Sequence, residues 1–243
     1  MKTLTLWTII LVLFTSCSTE SEPASLSESP NKVADTYLQR ITGLYPENIA
    51  NAYDSAGQLY YDVSESYLTQ GNISVTTATT ISQVEAIANS SEEFQALRPA
   101  TYTSPTASRI DYILNDQQVT ALNIISNSSL SEKAKISLRG FLTSLMTYRD
   151  LQVEYDVIYD FVIDYETAIL ADSDFTANDQ KVILATASIS RYGFYFAEKR
   201  KRKPRDRDWE ISWGHIVAAI DGSEESTAKA IVMSAVCGII SNK

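Results

Sequence analysis

Few residues in this chain are equipped for chemistry. Its 243 residues hold one histidine (His215) and two cysteines (Cys17 and Cys237), which nearly excludes zinc sites, Cys/His metal clusters and a disulfide framework. Metal binding would have to rest on carboxylates. The densest row of these is Asp156, Asp160 and Asp164, four residues apart, with Glu154 and Glu166 flanking it. That spacing stacks the three on one helix face, where like charges repel. Mg²⁺ or Ca²⁺ prefers such oxygen ligands, but a straight helix spreads the row along ~12 Å, too far for one ion without another helix. The expectation is a solvated acidic face, with no metal ligand and no cofactor. A ferritin-like di-iron centre would need Glu-x-x-His pairs, and the single histidine stands elsewhere.

His215 has no catalytic partner in local motif spacing and is expected to be packed or at a rim. No nucleophile elbow, phosphate-binding loop, dinucleotide fingerprint or His-Glu-x-x-His occurs. An acid/base pair of Asp and Glu assembled across the fold is the one route left open to an enzyme. No catalytic residue is assigned, and a non-catalytic protein is the expectation.

The chain is acidic, with net charge −10, yet Lys199 to Arg207 holds seven basic residues. Three readings stay open for this run: a solvated loop breaking at Pro204, an internal partner for the acidic helix face, or a patch drawn to phospholipid or lipopolysaccharide head groups. Lys199, Arg200, Lys201, Arg202 and Lys203, with Trp209 and Trp213 just behind, are the expected contacts to a partner or membrane. Nucleic acid is not an expected partner, because the mean charge repels it and no aromatic residue interleaves the basic run to stack bases.

At the amino terminus, Met1-Lys2, an apolar stretch from Leu4 to Phe14 and the small residues Thr15-Ser16-Cys17 form a secretory signal over residues 1–16. Eleven apolar residues at 1.5 Å each reach about half of a ~30 Å hydrocarbon core, so a permanent membrane helix is disfavoured. Phe14-Thr15-Ser16-Cys17 resembles the lipobox of bacterial lipoproteins, which implies lipidation at Cys17 and anchoring in the outer membrane, periplasmic or surface-exposed. Residues 17–32 are rich in Ser, Glu and Pro and read as a flexible tether. Glu20 and Glu22 resemble the surface-export signals of Bacteroidetes lipoproteins, or are part of a solvated linker. Cys237 reads as a small buried apolar side chain.

From residue 33 to 208 the periodicity is helical. Ile49, Tyr53, Ala56, Tyr60, Val63 and Tyr67 keep to one helix face. Leu138, Phe141, Leu142, Leu145 and Met146 follow a cap at Ser129. Leu151, Tyr155, Ile158, Phe161 or Val162, Tyr165 and Ile169 form a third stripe. Val182, Ala185, Ile189, Tyr192 and Phe196 form a fourth behind a Thr176 cap with Asp179. In Ile73 to Ile81 strand and helix compete, with helix favoured. Residues 209–243 read as a hairpin of two apolar helices around a polar Asp221 to Ser226 turn, docked to close the bundle. Eight glycines and six prolines are too few for a many-turned sandwich, so the fold class is all-α: an antiparallel multi-helix bundle with a C-terminal helical hairpin. The fourteen tyrosines are read as core packing, with a tyrosine-lined cleft for sugars or peptides as the alternative.

Asn51-Ala52-Tyr53-Asp54-Ser55-Ala56-Gly57 and, far downstream, Ser188-Ile189-Ser190-Arg191-Tyr192 resemble a group of uncharacterised Bacteroidetes lipoproteins with Asn-Pro-Tyr-Asp near the mature start. Ala52 stands where that group has proline. The resemblance implies an envelope location and no known activity. Asp54-Ser55-Ala56 also resembles the O-glycosylation triplet of Bacteroidetes, a use that burial of Ser55 in a helix would rule out. The functional expectation is a lipid-anchored binding or interaction module with a protein or glycan partner at the cell surface. The alternative is a membrane-active protein whose C-terminal hairpin inserts into or docks on a bilayer.

Overall fold

The computed structural model describes residues 46–71, 76–201 and 209–242. The expected secretory signal, Cys17, the expected tether and the basic residues Arg202 and Lys203 lie outside the described residues. Those described form ten helices and no strand: α1 (Asp54–Thr69), α2 (Thr77–Ala88), α3 (Glu92–Leu97), α4 (Ala107–Asn115), α5 (Gln117–Asn127), α6 (Glu132–Asp150), α7 (Tyr155–Ala171), α8 (Ala177–Lys201), α9 (Trp213–Glu225) and α10 (Thr227–Ser241). The all-α class follows, and the stretch in which strand and helix competed is helical from Thr77 onward.

Short polar side chains start these helices by accepting an otherwise orphaned backbone N–H. Thr76, Ser91, Thr106, Asp116, Ser131 and Ser226 each do so. Thr176 and Asp179 form the expected reciprocal pair ahead of α8, each side chain accepting the other's backbone N–H at 3.1 and 3.0 Å. The start of α6 differs from the expectation: Ser131 is its cap, while Ser129 donates through backbone and hydroxyl to Glu224.

The apolar stripes bury as their spacing demands, except at their beginnings. Ala56, Tyr60, Val63 and Tyr67 are in the core, but Ile49 is 90% exposed, because it sits in the turn before α1. Leu151 is likewise exposed, because it caps the end of α6 instead of lying on α7. Burying a side chain of this size contributes about 1.5–3 kcal/mol, so exposure of these two removes them from the core's account.

Two regions are buried almost all round. Every residue of α8 from Val182 to Phe194 is buried, and so is every residue of α10 from Ala228 to Ile239. Helices α9 and α10 form the expected hairpin. They cross with backbones nearly touching: a side chain at Gly222 would meet the Ala230 Cα at 2.5 Å. Instead of closing the bundle from outside, the hairpin is its centre, with α10 against α1, α2, α4 and α8, and α9 against α4, α5 and α8. The described residues form one compact unit, the hairpin included. Among the described residues no helix is long and apolar enough to cross a membrane.

Candidate functional site

The last turns of α8 wall a cleft of about 480 Å³, within the range of small-molecule sites. Four parts of the chain meet there. The end of α6 supplies Arg149 and Asp150, the start of α7 supplies Tyr155 and Ile158, α8 supplies Phe194, Ala197, Glu198 and Lys201, and the segment before α9 supplies Trp209 to Ile211. Gln152, turned into the left-handed region at φ 52°, lets the chain reverse between α6 and α7 at the cleft edge. The floor is aromatic and aliphatic, while the rim carries charges of both signs. Arg149 spans the two: its guanidinium donates to Asp150 at 2.6 and 2.9 Å and to the Ile211 carbonyl at 3.2 Å. Lys201 stands 3.9 Å from Glu198 with its side chain 60% exposed, which leaves its ammonium free to turn to an incoming group.

The expected contact residues divide. Lys201 lines the cleft. Lys199 faces away from it into a smaller pocket of about 230 Å³ with Pro46, Tyr61, Tyr192 and Tyr195. Its ammonium donates to the Tyr61 hydroxyl, lies 4.0 Å from Glu65 and sits over the Tyr61 and Tyr195 rings. The guanidinium of Arg200 lies over the Phe196 ring. Trp213 is half-buried in the first turn of α9. Trp209 departs from the expectation: it is 1% exposed, wedged edge-on between Phe196 and His215 at 5.0 and 5.6 Å. The basic run ahead of it suggested a surface, but the indole is a core side chain forming the cleft's inner wall.

A second constellation is hidden from solvent. Arg191, 0% exposed in the middle of α8, donates to Asp54 of α1 at 2.6 Å and to Glu166 of α7 at 3.1 Å. Glu166 also accepts from the Asn48 and Asn51 amides, at 2.5 and 2.9 Å. The Asn51 amide reaches the Leu184 carbonyl as well. Ser188 donates to the Asp54 carbonyl and accepts from the Gly57 N–H, and the Tyr192 hydroxyl donates to Asp54 at 3.3 Å. Gly57 is required here, since a Cβ would fall 2.4 Å from both the Ser188 hydroxyl and the Tyr192 ring. The two segments quoted together in the sequence, Asn51 to Gly57 and Ser188 to Tyr192, are thus brought into contact.

Electrostatically the cluster pairs two carboxylates with one guanidinium. Burial pushes the Glu166 carboxyl above its ordinary value, with Arg191, Asn48 and Asn51 pulling the other way. Burial opposes the charge of Arg191, but Glu166 and Asp54 hold it. Glu166 therefore does not belong to the solvated acidic face; Asp156, Asp160 and Asp164 do, all three being exposed. Arg191 and Glu166 are both sealed from solvent, so the cluster acts from the interior. It clamps the turn before α1 onto α7 and α8.

His215 is buried, as expected. Its Nδ1 accepts from the Ser212 N–H at 3.1 Å and pairs with the Ser212 hydroxyl at 2.9 Å, and burial pushes its pKa down to about 3. It is a neutral ring that fixes the start of α9. Cys237 is fully buried, and burial pushes its thiol up. Ser55 lies half-buried in the first turn of α1, beside the engaged Asp54. Among the described residues no group of three or more His, Cys, Asp or Glu stands close enough to hold a metal ion. No protein-family profile, curated protein or solved structure matches the chain.

Sequence reading missed the Asp54–Arg191–Glu166 clamp and the cleft. The one local signal for the clamp was an arginine on a helix otherwise apolar or small from Val182 to Phe194. The cleft had none, since its walls come from four separate segments.

Proposed function

We propose that the protein is a non-catalytic binding module of the bacterial envelope, anchored through a lipidated Cys17 and taking its ligand in the cleft at the end of α8. The observation that carries this reading is the cleft itself: a depression of about 480 Å³ with an apolar floor and a rim of both charge signs. Such a lining favours a ligand with an apolar portion and polar groups at its edge, as in a short peptide segment or a substituted glycan. The sequence features of residues 1–32 support the envelope location. The resemblance to uncharacterised Bacteroidetes lipoproteins is part of the same reading.

Affinity capture from intact cells tests it, with the natively produced protein compared with A197W, which fills the cleft floor, and K201E, which reverses a rim charge. Recovery of a ligand by the parent and its loss from both variants, with unchanged thermal midpoints, supports the cleft. Equal recovery by all three overturns it. Intact-mass measurement of the native protein tests the anchor, which an unmodified Cys17 thiol rules out.

A further inference from the structure

The last two helices among the described residues are the ones at the centre. Helices α9 and α10 run from Trp213 to Ser241, and Ile216, Val217, Ile220, Ile231, Val236 and Ile239 are all at most 2% exposed. Helix α5 has its most extensive packing against α9, and α4 packs on α2, α5, α9 and α10. Polar pins then fasten the hairpin to distant segments. Arg109 grips Asp221 with two bonds at 2.5 and 2.7 Å across 112 positions. Glu224 accepts from Ser129, and Gln117 accepts from the Gly214 N–H. Lys229 of α10 bonds Glu225 and reaches Thr103 in the loop ahead of α4.

Without residues 209–243, α1, α2, α4, α5 and α8 each lose a packing partner at once. Helices α2, α4 and α5, of 12, 9 and 11 residues, are marginal when unsupported, and long-range contacts must close before they repay their loop entropy.

We propose that the α9–α10 hairpin is a folding latch: residues 46–201 hold no stable tertiary structure until residues 209–243 dock, so the chain ahead of the hairpin stays open until the hairpin has been made. For an exported chain this keeps the polypeptide threadable through a translocation channel. That benefit rests on the envelope reading above, whereas the folding order does not.

Two measurements test the latch. The mature chain ended at residue 208 is compared with the full mature chain by thermal unfolding, followed by circular dichroism and by protease sensitivity. The expected result is loss of the cooperative transition; a cooperative transition in the shortened chain overturns the proposal. Ribosome-stalled chains carrying carboxy-terminal linkers of increasing length then report the order of events on the intact sequence. Protease resistance is expected only once residue 241 has cleared the exit tunnel, and resistance arising when residue 201 has just emerged overturns it. An unmodified Cys17 in native material would sink the anchor while leaving both readouts intact.

Discussion

Helix α8 carries charge in two settings within three turns. At Arg191 the charge is sealed, 0% exposed and met by two carboxylates from other helices. At Lys201 the side chain is 60% exposed, with Glu198 of the same helix 3.9 Å away. Removing one partner of a buried pair strands the others in a medium that cannot solvate them, at a cost of about 3–5 kcal/mol. An exposed pair is screened and contributes ~0–1 kcal/mol. Charge at the first place holds the chain together, and charge at the second is available to something else.

The sharpest way to break this comparison is R191A, which leaves Glu166 and Asp54 facing each other in the interior. It is expected to lower the free energy of unfolding by about 3–5 kcal/mol, read by denaturant titration with the m-value checked. A loss near zero would dissolve the distinction. W209A probes the wall shared by the cleft and the core, and deleting a buried indole is expected to cost about 3–5 kcal/mol. A surface tryptophan, as its neighbours in the sequence suggested, would cost almost nothing.

Acid separates two buried titratable groups. The pKa of His215 is pushed down to about 3, so its stabilising contribution is present above its ordinary value of about 6.5 and is lost as pH falls below it, by about 1.4 kcal/mol per unit. Glu166 acts the other way, being shifted up. Its contribution is complete below the ordinary glutamate value of about 4.5 and is lost as pH rises through the higher value it has in the fold. Thermal midpoints from pH 4 to 8 are expected to show less decline in acid for H215F and less decline toward neutrality for E166Q. Matching profiles in parent and variants would remove both assignments. The smallest effect is expected from K201A, within about 0.5 kcal/mol of the parent in stability; a larger loss would move Lys201 from the rim into the scaffold.

What periodicity can carry was legible: the helices, the hairpin and most of the core, because apolar residues at steps of three and four state which face is buried. The same signal failed at Ile49 and Leu151. An apolar residue in phase with a helix looks the same whether or not the helix has begun, and both lie just before one. Trp209 was misplaced because adjacent lysines and arginines suggest solvent, while its contacts, Phe196 and His215, lie on other elements. The clamp was quoted in two halves without being joined, since Asp54 and Arg191 are 137 positions apart and no local rule pairs them. A cleft assembled from four segments leaves no period at all.

The amides of Asn48 and Asn51, seated on Glu166, fasten the turn ahead of α1 to α7. A tensile load applied on the amino-terminal side of Asn48 would be taken up by this clasp before it reached the hydrogen bonds of α1. The fold thus has a mooring whose yield force is governed by side-chain amides and one guanidinium, and N51A is the substitution that would let the first helix peel away under pull.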